Sequence, residues 1–91
     1  MKFEITFKRY DTIHAHFTVP AIKARLSGAW YETQPYLPDS DAVEAAMPYH
    51  YRKAFNRARV WWAREFSDTV RCDLRDAKGF PAGTLFARLC A

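Results

Sequence analysis

Glycine is scarce in this chain, with three residues, Gly28, Gly79 and Gly83, among 91. None stands in a G-x-G-x-x-G or G-x-x-x-x-G-K-S/T arrangement, so neither common phosphate-cradling loop is expected. The two cysteines, Cys72 and Cys90, are too few for a secreted disulfide scaffold and lack the C-x-x-C spacing of zinc or thiol-redox sites. Each is expected to pack as a small apolar side chain. Should the last two strands pair, the sulfurs can approach one another, yet a reducing compartment would keep them as thiols. No apolar run nears the roughly 20 residues that cross a bilayer. Met1-Lys2-Phe3-Glu4-Ile5-Thr6 alternates where a secretion signal would be continuously apolar, so a cytoplasmic location is expected.

Large apolar side chains are plentiful. The chain is 49% hydrophobic, with seven Phe, five Tyr and three Trp, which is enough to build a core in a short chain. Domains commonly run to roughly 100–150 residues, so residues 1–91 are expected to form one domain.

Two segments alternate with period two. Phe3, Ile5 and Phe7 are set against Lys2, Glu4, Thr6 and Lys8; Ile13, Ala15, Phe17 and Val19 are set against Thr12, His14, His16 and Thr18. Both predict half-buried strands, joined as a hairpin at Arg9-Tyr10-Asp11. Thr18 as cap, Pro20 in a first turn and Gly28 as closing residue predict a short helix over Ala21 to Ser27. Ala29 to Asp41, with Pro35, Pro38 and several aromatics, predicts a loop. Asp41 and Glu44 have capping-box spacing ahead of a helical stretch from Ala42 to Met47, with Pro48 as a kink or a restart. Asp39 and Asp41 suit capping better than acid chemistry.

From Tyr49 to Phe66, the residues Tyr51, Ala54, Phe55, Ala58, Trp61, Trp62 and Phe66 recur at helical spacing, predicting one long core-facing helix. Val70, Cys72 and Leu74 alternate as a third strand. Asp76-Ala77-Lys78-Gly79 is a tight-turn sequence, and Thr84 to Leu89 is a fourth strand behind the irregular Pro81 and Gly83. The expected fold class is α+β, an antiparallel sheet of about four strands in ββ-α(α)-ββ order packed on one long amphipathic helix. Isolated hairpins are marginal in water, which favours one merged sheet.

Charge is unevenly spread. Residues 1–47 hold five basic and six acidic side chains, and residues 48–91 hold nine basic and four acidic. Between Pro48 and Ala63 there are Arg52, Lys53, Arg57 and Arg59 without one carboxylate, and Arg64 follows. On a continuous helix, Lys53, Arg57 and Arg64 form one row beside a second row of Arg52, Asn56 and Arg59. Such a stripe suits an acidic partner, phosphate or carboxylate, and otherwise serves as a solvated face. The strand aromatics Phe3, Phe7 and Phe17 fall on the apolar side, which argues against an RNA-reading sheet. In the loop, Trp30, Tyr31 and Tyr36 are the candidate contact anchors.

His14 and His16, two apart on a strand, share a face and can chelate a metal. No third ligand stands at a recognisable spacing, so no metal or cofactor is expected. His16-Phe17-Thr18-Val19 resembles one copy of the His-hydrophobic-Thr-hydrophobic motif of the two-histidine phosphoesterases. That resemblance implies hydrolysis of a cyclic phosphodiester with His16 and Thr18 in the site, but the second copy is missing and half of the general acid and base pair with it. No Ser-His-Asp arrangement or cysteine nucleophile is indicated. As a short domain rich in aromatics and bare of catalytic motifs, the chain resembles the inhibitors that phages and mobile elements direct at host machinery, anti-CRISPR proteins among them.

The expected function is therefore non-enzymatic: a binding or inhibitor protein that engages a larger intracellular protein or ribonucleoprotein through Arg52, Lys53, Arg57, Arg59 and Arg64, with Trp30, Tyr31 and Tyr36 as anchors. Direct binding of a nucleic-acid backbone is the alternative. A phosphoesterase built on His16 and Thr18 is third.

Overall fold

The computed structural model describes residues 1–24 and 35–90. Six antiparallel strands form one sheet curved into a half-barrel. They are β1 (Lys2–Arg9), β2 (Thr12–Lys23), β3 (Tyr36–Pro38), β4 (Ala63–Phe66), β5 (Thr69–Arg75) and β6 (Pro81–Cys90), in the order β3-β2-β1-β6-β5-β4. Two short helices, α1 (Ser40–Ala46) and α2 (Arg52–Ala58), with a 3-10 turn at Tyr49–Tyr51 between them, cover the concave face. The merged sheet forms through β1 and β6, whose register runs from Lys2 opposite Cys90 to Lys8 opposite Thr84.

The expected four strands on one long helix are overturned: among the described residues strand accounts for 55% and helix for 21%, so the sheet dominates and the helices only patch it. The helical pattern over Tyr49 to Phe66 yields seven α-helical residues, because β-branched Val60 and the bulky Trp61 and Trp62 are poor helix formers. The Trp61 N–H closes the end on the Ala58 carbonyl at 2.8 Å. Trp62 enters the core edge-on to Phe55, with ring centroids 6.1 Å apart, and its indole N–H donates to Ser40 Oγ at 3.3 Å. Trp61 and Phe66, expected inside, are 74% and 65% exposed. Ala63–Phe66 instead pairs with β5, supplying backbone partners that a helix could not give that edge.

The helix expected over Ala21 to Ser27 is likewise corrected. Ala21–Lys23 continues β2 and pairs with Tyr36–Pro38, so a strand lies inside the expected loop; residues 25–34 of both segments lie outside the described residues. Asp39, not Asp41, caps α1, accepting from the backbone N–H groups of Asp41 and Ala42.

The core lies between sheet and helices. Phe3, Ile5 and Phe7 of β1, Val70, Cys72 and Leu74 of β5, and Leu85 and Ala87 of β6 meet Val43, Met47, Ala54, Phe55, Ala58 and Trp62. Those strands follow the alternation that the sequence predicts. One departure matters for the histidines. In β2, Ala15 pairs with Phe7 and Ile13 pairs with Lys8, so His14 is an extra residue in a bulge. The bulge reverses the facing of what precedes it, and Ile13 is 59% exposed.

The cysteines are both free. Cys72 pairs in register with Leu85, five residues from Cys90, so the sulfurs do not meet although their strands are neighbours. Burial pushes the Cys72 thiol up to about 12, and its Sγ lies 3.3 Å from the Ala58 carbonyl oxygen. Reactivity belongs to the thiolate. In native protein at neutral pH, iodoacetamide is therefore expected to label Cys90 alone within minutes, and Cys72 only once denaturant is added. Mass spectrometry of the peptides checks this, and equal native labelling of both would refute it.

Candidate anion-binding surface

The long basic stripe does not exist as expected, because only Arg52 to Arg57 share a helix. Arg52 turns inward along the chain: its Nε and Nη2 donate to the carbonyls of Met47 and Ala45, each at 3.1 Å. It thereby satisfies the open end of α1, whose last turn has no basic residue of its own. Arg59 is neutralised at 2.5 Å by Asp41 and 3.8 Å by Glu44. Arg64 is exposed on β4, opposite Val70. Lys53 is exposed on α2. Arg57 donates through Nη2 to the carbonyl of Arg75 at 2.9 Å.

Of the expected aromatic anchors, Tyr36 is half-buried on β3 and packs against the core. Trp30 and Tyr31 lie outside the described residues. The histidines do not converge. His14 lies beside Phe7 and Tyr51, with ring centroids 5.9 and 6.1 Å away, on the helix side of the sheet. His16, opposite Thr6, falls on the uncovered convex side. Among the described residues no group of three His, Cys, Asp or Glu side chains is placed to hold a metal ion. The His16-Thr18 pair has no second histidine on its face.

The fold assembles a different cluster. The β1–β2 hairpin brings Arg9 up to the 3-10 turn, and its Nη1 donates to the Tyr51 hydroxyl at 3.0 Å. That hydrogen bond, with the Tyr51 charge interaction behind it, holds the guanidinium above its ordinary pKa. Its carbon lies 5.9 Å from the ring centre of Tyr10 and 6.0 Å from that of Tyr51, at the outer reach of a cation–π contact with each. Tyr10 takes a left-handed backbone, φ 56°, at the hairpin tip and is 87% exposed. Arg9, His50, Tyr51, Lys53 and Arg57 line a hollow of about 320 Å³ together with Asp76 and Ala77 of the turn between β5 and β6. Its one carboxylate among the described residues, Asp76, is engaged by the N–H groups of Lys78 and Phe80, both at 2.9 Å.

The arginines sort by the oxygen that holds them. Arg59, Arg71 and Arg88 are paired with carboxylates; Arg71 meets Glu65 at 2.9 Å, and Arg88 meets Glu4 at 2.6 Å. That last hydrogen bond holds the Glu4 carboxyl below its usual range. Arg9, Arg52, Arg57 and Arg75 are held by neutral oxygens: a phenol and four carbonyls, including that of Gly79, which accepts from Arg75 at 3.0 Å. A neutral acceptor fixes the side chain and leaves its charge uncompensated. The two groups adjoin: Glu44, which Arg59 meets at 3.8 Å, also lines a hollow with Arg52 and Arg57, and Asp73, which Arg71 meets at 3.5 Å, lines another with Arg57 and Arg75. Arg57 lines three adjoining hollows, shared with Arg52 and Lys53 on one side, Arg75 and Trp61 on another, and Arg9 and His50 on a third.

Arg9, Tyr10, Tyr49, His50 and Arg75 are missed by the sequence pattern. Tyr49 and His50 directly precede α2 in the chain, whereas only the closing of the sheet brings Arg9, Tyr10 and Arg75 near it. No protein-family model matches the chain, and no curated protein or solved structure is significantly similar to it. Among the described residues, no helix is long and apolar enough to cross a membrane.

Proposed function

We propose that this protein is a small non-enzymatic binding module that engages the anionic surface of a larger intracellular protein or ribonucleoprotein. Its contact surface is centred on Arg57 and includes Arg9, Lys53 and Arg75, in place of the stripe that would have run through Arg59 to Arg64. The supporting observation is the sorting of arginines: on this surface each guanidinium is oriented by a neutral oxygen, so position is fixed while charge stays available for charge-assisted hydrogen bonds. Such a module acts by occupancy, as an inhibitor does, covering a surface that its partner needs for something else.

Two double variants with the same change in net charge test the site. Lys53→Glu with Arg57→Glu removes the centre of the surface, whereas Lys2→Glu with Lys23→Glu changes exposed lysines on β1 and β2. On immobilised heparin the first variant is expected to bind about tenfold more weakly than the parent, and the second to stay within about twofold. Equal weakening of both would reduce the attraction to net charge and remove the site.

A further inference from the structure

We infer that the occupant of the Arg57-centred hollow is the phosphodiester backbone of a single-stranded nucleic acid, with bases stacked on the tyrosines at its margin. This rests on the anionic-partner reading and narrows it to one class of ligand.

The anatomy of the surface carries the argument. Protein–protein interfaces concentrate apolar and aromatic side chains at the centre, deplete charge there and leave polar groups to the rim. Here three cations stand at the centre. The recess gathers the cations Arg9, Lys53 and Arg57 beside His50, Tyr51, Ala54 and Pro81, and its one carboxylate among the described residues, Asp76, is held by backbone N–H groups. The protruding rings stand beside it: Tyr10 adjoins Arg9, and Tyr49, 79% exposed, lies edge-on to His50 with centroids 5.9 Å apart. A row of cations that follows a backbone, bordered by aromatic faces that accept any base, is how proteins hold single strands without reading sequence. A duplex keeps its bases stacked inside and offers nothing to Tyr10 or Tyr49, so a single strand is preferred. Arg9, within about 6 Å of the ring centres of both Tyr10 and Tyr51, couples the two halves of the surface, since the same side chain supplies charge to a phosphate and a flat edge to a neighbouring base.

Fluorescence anisotropy tests this with three probes: a labelled uridine strand of about twenty nucleotides, a duplex of equal length, and labelled heparin. The parent protein is expected to prefer the single strand to the duplex by about tenfold, with a log–log salt slope near −2, as about three phosphate contacts imply. Tyr10→Ala with Tyr49→Ala is expected to weaken the single strand about tenfold or more while leaving heparin within about twofold. Lys53→Glu with Arg57→Glu weakens all three. If heparin binding depends on Lys53 and Arg57 but the tyrosine pair has no effect on the strand, or the duplex binds equally well, the single-strand assignment is overturned and only the broader anionic-partner reading stands. If none of the three probes depends on Lys53 and Arg57, both readings fall. Circular dichroism of each variant against the parent separates loss of binding from loss of fold.

Discussion

Gly83→Ala is expected to cost about 2–5 kcal/mol of stability, more than most single methyl additions, because two penalties meet at one atom. Gly83 has φ 138°, a backbone conformation that side-chain-bearing residues rarely adopt. A Cβ there would lie 2.5 Å from Cε1 of Phe7 and 2.9 Å from the carbonyl oxygen of Lys8. Neither neighbour can retreat. Phe7 is fully buried and edge-on to Tyr51 at 4.8 Å, and the Lys8 carbonyl belongs to the central strand. Gly79→Ala is the internal reference. It also has positive φ, 88°, but nothing lies within 4 Å of a Cβ, so only the conformational cost of about 1–2 kcal/mol applies. Urea unfolding followed by circular dichroism compares the two. Since small domains hold about 5–15 kcal/mol in all, the alanine at 83 should leave a protein that unfolds at low denaturant. A loss no larger than that of the Gly79 variant would mean that the Phe7 contact is relieved at no cost.

Phe55→Ala is expected to lose about 3–5 kcal/mol, and Phe66→Ala less than about 1. Phe55 is fully buried between α2 and the sheet, against Trp62, whereas Phe66 is 65% exposed at the end of an edge strand. A continuous helix from Tyr49 to Phe66 would bury both and make the two losses similar. The same unfolding measurement therefore discriminates the two arrangements, and comparable losses would restore the long helix.

What could be read from residues alone follows from how far each signal reaches. The alternation of Phe3, Ile5 and Phe7, and of Val70, Cys72 and Leu74, is dense and unambiguous, so both hairpins and the Asp76–Gly79 turn were legible. The run Trp61-Trp62-Ala63-Arg64-Glu65-Phe66 is compatible with a period near four and with a period of two. Only the need of β5 for a pairing partner decides between them, and that need is absent from the local sequence. The pairing of Ala21–Lys23 with Tyr36–Pro38 was hidden for a similar reason, since three-residue strands carry too little pattern to register. A one-residue bulge at His14 dissolved the supposed histidine pair, and alternation cannot announce its own interruption. For the proposed surface, the shared helix of Lys53 and Arg57 was legible because helix spacing is local. Arg52 and Arg59 were misjudged, since sequence shows a charge without showing which oxygen answers it. Arg9 and Arg75, far apart in the chain, became neighbours of α2 only through the sheet.

The placement of β1 against β6 also governs how the molecule answers a pulling force. The strands run antiparallel, with Lys2 facing Cys90 at one end of the ladder, and their hydrogen bonds lie across the strands. Tension applied to those two residues draws along the bonds and loads one pair at a time, as in opening a zip, instead of shearing the whole ladder at once. For tension between Lys2 and Cys90, the seam between β1 and β6 is therefore the line that parts pair by pair, between the two halves of the sheet.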